Sequence, residues 1–149
     1  MTSRLFALSS IALIFLACAC SSAPVHTSIA DQTGLGMSKE KSIEVCKPEG
    51  ERNYLARLVC PDSSHPRFNR IGRFGFRQDF PAGMSEEDQM KVMTDSMGFE
   101  KLEPGAVDYH TIDGYSIECG KTKTTLYLDM YHCDVPAPSQ APVGFSITN

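Results

Sequence analysis

The sequence has no tryptophan, no C-x-x-C or H-E-x-x-H spacing, no nucleophile elbow and no phosphate-binding or dinucleotide-binding glycine loop. These gaps remove the common zinc, hydrolase and nucleotide signatures; Gly72-Arg73-Phe74-Gly75 is too short to stand for any of them. Nor is there an excess of positive charge. Lys and Arg total 14 against 18 Asp and Glu, a formal charge of -4, whereas a nucleic-acid partner calls for a net basic surface. No cofactor is implied. A membrane-spanning helix needs ~20 consecutive apolar residues, and the longest apolar run, Leu5 to Ala17, is thirteen residues with Ser9 and Ser10 inside it.

That run follows Arg4 and ends in Ala17-Cys18-Ala19-Cys20-Ser21-Ser22-Ala23, the pattern of a secretory signal peptide and its small-residue cleavage region. Cysteine arithmetic places the processing site. Cleavage before Cys20 discards Cys18 and leaves Cys46, Cys60, Cys119 and Cys133 as an even set beside one lipid-bearing cysteine; cleavage before Cys18 strands Cys20. We therefore expect residues 1–19 to be a signal peptide, Cys20 to be lipidated, and the chain to meet the membrane through that lipid. The expected location is the bacterial envelope, as an outer-membrane lipoprotein facing the periplasm. Ordinary cleavage after Ala23, giving a secreted or soluble periplasmic protein, is the alternative.

Residues 20–41 read as a flexible tether and residues 135–149, with Pro136, Pro138 and Pro142, as a proline-rich tail that cannot hold a helix or a central strand. Between them, residues 42–134 suffice for one domain. Tyr115 to Cys119 and Thr124 to Cys133 alternate apolar and polar residues around a polar turn at 120–123, which predicts a β-hairpin. Arg67 to Phe76 reads as extended. Residues 51–59 satisfy either a strand or a helix bearing Tyr54, Leu55 and Leu58 on one face; strand is the expectation here. Ser85 and Asp88 form a capping box, and Met90, Met93 and Met97 follow on one face, so a helix over 85–97 is expected to pack that stripe on the sheet. The fold class is α+β: an antiparallel sheet of about four or five strands, one packed helix and two disulfides.

An exported chain meets an oxidising compartment, so the four remaining cysteines should pair. In the hairpin, Cys119 sits at the turn and Cys133 at the far end, ~30 Å away at ~3.3 Å per residue. Bridged cysteines need Cα atoms within ~7 Å, so bonds should join the two halves of the chain. Cys46, Tyr54, Leu55 and Cys60 also echo Cys119, Tyr127, Leu128 and Cys133 at an offset of 73, the spacing of either an old duplication or a coincidence.

Arg67, Arg70, Arg73 and Arg77, interleaved with Phe68, Phe74 and Phe76, could grip an anionic envelope component. Residues 86 to 113 carry eight acidic and two basic side chains, which offers the same arginines internal partners. His110 and His132 have Asp108, Asp113, Asp129 and Asp134 nearby in sequence, but no metal-ligand spacing; the expectation is surface histidines at a sheet end and no metal. A cysteine nucleophile would need a free thiolate, which disulfide pairing removes. Leu126 to Cys133 and the Cys60-Pro61-Asp62 turn resemble parts of small proteobacterial lipoproteins, a likeness that implies no activity. The expected function is a non-enzymatic envelope module, binding or structural, that meets an envelope protein or an anionic envelope component. The rival is a periplasmic hydrolase or metal-handling protein built on His110, His132 and Asp113.

Overall fold

The computed structural model describes residues 34–148, so the leader, Cys18, Cys20 and His26 lie outside the described residues. The architecture is α+β. Strand β1 (Ile43–Glu44) is followed by helix α1 (Lys47–Ala56), β2 (Leu58–Val59), β3 (Arg67–Phe76), helix α2 (Glu86–Asp95), β4 (Thr111–Cys119), β5 (Thr122–Asp129) and β6 (Ser146–Ile147). Four strands form one sheet in the order β1-β5-β4-β3, and β2 and β6 form an antiparallel pair. The expected hairpin is β4–β5, tightened to a two-residue turn at Gly120-Lys121, because Cys119 already faces Thr122. Gly120 sits at φ 57°, a conformation that favours glycine and suits such a turn. The sheet is not wholly antiparallel: β1 lies parallel to β5, Ile43 facing Leu128. Parallel neighbours need a long connection, and everything from α1 to β4 supplies it.

Of residues 51–59, expected as strand, 51–56 belong to the helix of residues 47–56 and only Leu58–Val59 are strand. Pro48 stands in the first turn, Glu49 meets the positive end of the helix dipole, and no β-branched residue interrupts the segment. Glu51, Tyr54 and Leu55 turn inward, where Tyr54 and Leu55 join Ile43, Val45, Leu58, Tyr115, Ile117, Leu126 and Leu128 in the core. Alternation places Phe68, Arg70, Asp113, Tyr115, Ile117, Leu126 and Leu128 on one sheet face, and α1 covers it.

Helix α2 begins where the capping box puts it, with the Ser85 hydroxyl accepting from the Asp88 N–H at 3.1 Å. Its methionine stripe is not core, however. None of its residues is buried, and Met90 and Met97 are 63% and 56% exposed. The half-buried positions are Gln89, Val92, Met93 and Ser96, a face rotated from the one the methionines marked. The packed helix of this fold is α1.

The ordered unit is wider than residues 42–134. Gly36 accepts from the Tyr127 N–H at 2.8 Å and Leu35 packs on the core, so the end of the expected tether lies against β5. The proline-rich tail is likewise folded. Tyr54 donates to the Gln140 carbonyl at 2.7 Å, Ala137, Ala141, Phe145 and Ile147 pack on the core, and β6 pairs with β2. Prolines exclude a central strand but not an irregular strap that ends in a two-residue edge pair.

Two disulfides join the halves of the chain, Cys46 to Cys133 and Cys60 to Cys119, with Cα atoms 4.4 Å and 5.7 Å apart. The echo at an offset of 73 is not structural: Tyr54 and Leu55 are helical, whereas Tyr127 and Leu128 lie in a strand.

Candidate functional site

Four strand ends meet at one edge of the sheet, opposite the β4–β5 turn. There β1 ends at Glu44, β3 at Phe76 and β5 at Asp129, while β4 begins at Thr111. The residues just beyond these ends converge: Asp108 and His110 before β4, Asp129 and His132 at the end of β5, Arg77 after β3 and Glu44 in β1. Backbone bonds fix the arrangement. Arg77 N–H donates to the His110 carbonyl at 2.9 Å, Val45 N–H to the Asp129 carbonyl at 2.8 Å and His132 N–H to the Val45 carbonyl at 3.1 Å.

One ligating atom from each of Asp108, His110, Asp129 and His132 lies within 4.8 Å of all the others. His132 Nε2 stands 3.0 Å from Asp108 Oδ2 and 3.2 Å from Asp129 Oδ2. His110 Nδ1 stands 3.0 Å from Asp108 Oδ1 and 3.5 Å from Asp129 Oδ2, yet it is buried and aligned for a hydrogen bond with neither. The Arg77 guanidinium closes one side. Its Nη2 meets Glu44 Oε1 at 2.7 Å, and its Nη1 reaches Asp108 at 3.1 Å and Asp129 at 3.4 Å. The His110 ring stacks on Tyr131 with centroids 5.0 Å apart, and Tyr131 stacks in turn on Phe99 at 5.4 Å.

Electrostatics follow from this crowding. Burial opposes a charge on either imidazole, but the carboxylates of Asp108 and Asp129 outweigh it and push His110 up to about 9 and His132 up to about 10. Burial would also raise the two carboxyls; the imidazoles hold both below the usual carboxylate range. Side chains of these types can bind either protons or a metal ion.

The histidines are thus not surface groups: His110 is 3% exposed and His132 mostly buried. Asp113 is elsewhere. It forms a two-pronged pair with Arg70, one arm at 2.7 Å, on the core face of the sheet beside Glu51. Asp108 and Asp129 take the place expected of it. A sequence signal existed in Asp108-x-His110 and Asp129-x-x-His132, one pair before a strand and one at the end of another, but only the topology brings the two together.

The arginines divide. Arg67 pairs with Glu118 at 3.1 Å, Arg70 with Asp113 and Arg77 with the cluster, while Arg73 is exposed and has no ion-pair partner among the described residues. The acids of α2 take no part in this pairing; Asp95 pairs with Lys91 of its own helix.

The chain matches no protein-family model, no curated protein and no solved structure.

Proposed function

We propose that this chain is a non-enzymatic binding module of the bacterial envelope, anchored by lipid on Cys20 to the outer membrane and facing the periplasm. The observation that supports this reading is the pair of disulfides, which consume all four cysteines of the described residues. Such bonds persist in oxidising, extracytoplasmic compartments and leave no thiolate for nucleophilic chemistry. Exposed Arg73 on the edge strand β3, the arginine of this segment without an ion-pair partner among the described residues, offers a basic contact toward an envelope protein or an anionic envelope component.

The hydrolase form of the rival reading loses Asp113 to Arg70, and its two histidines are engaged by carboxylates. The metal-handling form keeps His110 and His132.

Growing cells with a fatty-acid probe tests the anchor. The protein should take up the label and fractionate with membranes, and Cys20→Ser should abolish both. A wild-type protein that is unlabelled and soluble would end the lipoprotein reading in favour of a secreted or periplasmic form.

A further inference from the structure

We propose that Asp108, His110, Asp129 and His132 form a binding site for one divalent transition-metal ion of the zinc class. The donor geometry carries the proposal. Zinc bound through ~2.0–2.1 Å bonds in a tetrahedron sets its ligand atoms ~3.3 Å apart. Here one ligand atom from each of the four residues lies within 4.8 Å of all the others; Asp129 Oδ2 stands 3.2 and 3.5 Å from the two imidazole nitrogens, while Asp108 presents Oδ2 to His132 and Oδ1 to His110, each at 3.0 Å, so one of its oxygens turns to the ion when it binds. Two imidazole nitrogens with two carboxylate oxygens suit zinc and its neighbours rather than the all-oxygen shells of calcium or magnesium.

A second observation concerns direction: His110 Nδ1, on a residue 3% exposed, makes no aligned hydrogen bond, although Asp108 Oδ1 stands 3.0 Å away. A buried imidazole nitrogen without an aligned hydrogen bond is costly, and a metal ion among these side chains would satisfy it.

The competing account is a closed network of ion pairs, and it leaves two defects. His132 Nε2 lies 3.2 Å from Arg77 Nη1 as well as beside two carboxylate oxygens. If Nε2 bears a proton it donates to a carboxylate but crowds the guanidinium 3.2 Å away; if it does not, it accepts from Arg77 Nη1 while its lone pair also faces two carboxylates. In either case His110 Nδ1 makes no aligned hydrogen bond with the carboxylate oxygens beside it. A metal ion among the four atoms removes the second difficulty and gives Nδ1 a bond. Arg77, held by Glu44 at 2.7 Å, then steadies the carboxylates from outside the ligand set. Asp108, Asp129 and Glu44 with Arg77 leave two negative charges when the imidazoles are neutral, which one divalent ion balances.

The test uses the purified, disulfide-intact protein, stripped with chelator and then titrated with zinc alone, and separately with cobalt(II) for its visible ligand-field bands. One zinc per chain, a zinc-dependent rise in melting temperature and a tetrahedral cobalt spectrum are expected. His132→Gln and Asp108→Asn should each weaken zinc binding by about 10-fold or more. His65→Ala, whose ring meets the Leu58 carbonyl instead, should bind as wild type. Because Asp129 is fully buried and its variants risk misfolding, only variants that retain the wild-type circular dichroism are counted. No zinc uptake by the wild type, or undiminished uptake by folded His132→Gln and Asp108→Asn, would overturn the proposal. Neither result bears on the lipid anchor, which is read from labelling.

Discussion

Replacing each bonded cysteine pair by alanines tests the nested connectivity. The Cys60–Cys119 bond closes 59 residues and lies inside the 87 closed by Cys46–Cys133. Taken alone, chain entropy assigns the inner bond ~4.2 and the outer bond ~4.6 kcal/mol. They are not independent, because closing the inner loop shortens the outer one to about 28 residues, worth ~3.6 kcal/mol. Removing Cys46 and Cys133 should therefore cost ~3.6 kcal/mol, removing Cys60 and Cys119 ~3, and removing both ~8. The last figure is comparable to the whole stability of an ordinary domain, ~5–15 kcal/mol.

Urea unfolding at neutral pH reads these values, with the m-value rising as each cross-link is lost from the unfolded chain. A single pair removed should lower the melting temperature by roughly 15 °C, and the double removal should leave little folded protein at 37 °C. Peptide mapping without reductant should join Cys46 to Cys133 and Cys60 to Cys119. A loss under about 1 kcal/mol for either pair would refute the entropic reasoning, and bonds within each half would refute the connectivity.

Burial pushes the Glu51 carboxyl up to about 7 from 4.5, and the hydrogen bond from Tyr115 at 2.8 Å only partly offsets this. The folded state then binds the extra proton between those values, so this group's contribution is intact below pH 4.5 and lost as pH rises through 7. Glu51→Gln should remove up to ~3 kcal/mol of that slope, and an unchanged wild-type minus variant difference across the window would disprove it. Met90→Gln and Met97→Gln should each shift stability by less than about 0.5 kcal/mol, whereas Leu55→Ala should cost ~2–5 kcal/mol by urea unfolding. A Cβ at Gly114 would overlap the Phe74 ring, which packs edge-on against Tyr127 at 5.3 Å. Gly114→Ala should therefore cost ~1–2 kcal/mol, and the cost should largely vanish in a Phe74→Ala background.

What could be read from the sequence was local or geometric. The β4–β5 hairpin followed from alternation around Gly120, the start of α2 from Ser85 and Asp88, and the cross-half disulfides from the reach of an extended strand. Residues 51–59 were ambiguous because Tyr54, Leu55 and Leu58 fit two periods, and the segment divides: residues 51–56 complete α1, with Glu51, Tyr54 and Leu55 buried, while Leu58–Val59 form β2. The Met90, Met93 and Met97 stripe misled because spacing gives a face but not the neighbour it meets, and no residue of α2 is buried. The tail was read through its prolines, whose lost donors bar a central strand, while the apolar Phe145 and Ile147 that seat it were outweighed. The histidine site was hidden for a different reason. Its four residues come from segments some twenty residues apart and are joined by strand register, which pairwise spacing does not encode.

The two disulfides stand at opposite ends of the sheet, and this separates their effects on the cluster. Cys133 follows His132, and Cys46 lies two residues beyond Glu44, the anchor of Arg77. Between them, residues 45–47 are laced to 129–132 by Val45 N–H to Asp129, Lys47 N–H to Met130 and His132 N–H to Val45. The outer bond clamps that lacing. Cys119, in contrast, sits beside the β4–β5 turn, a full strand length from Asp129. If the cluster holds zinc, opening the outer bond should loosen His132 against Asp108 and weaken zinc by about 10-fold, the scale of losing a supporting contact around a metal. Opening the inner bond should leave the affinity within about 3-fold, although it costs nearly as much stability. Competition with a chelator, run on Cys46→Ala/Cys133→Ala and Cys60→Ala/Cys119→Ala at a temperature where both are folded, distinguishes the two. Equal losses in both would mean that affinity follows global stability and that the outer bond has no local role in shaping the site.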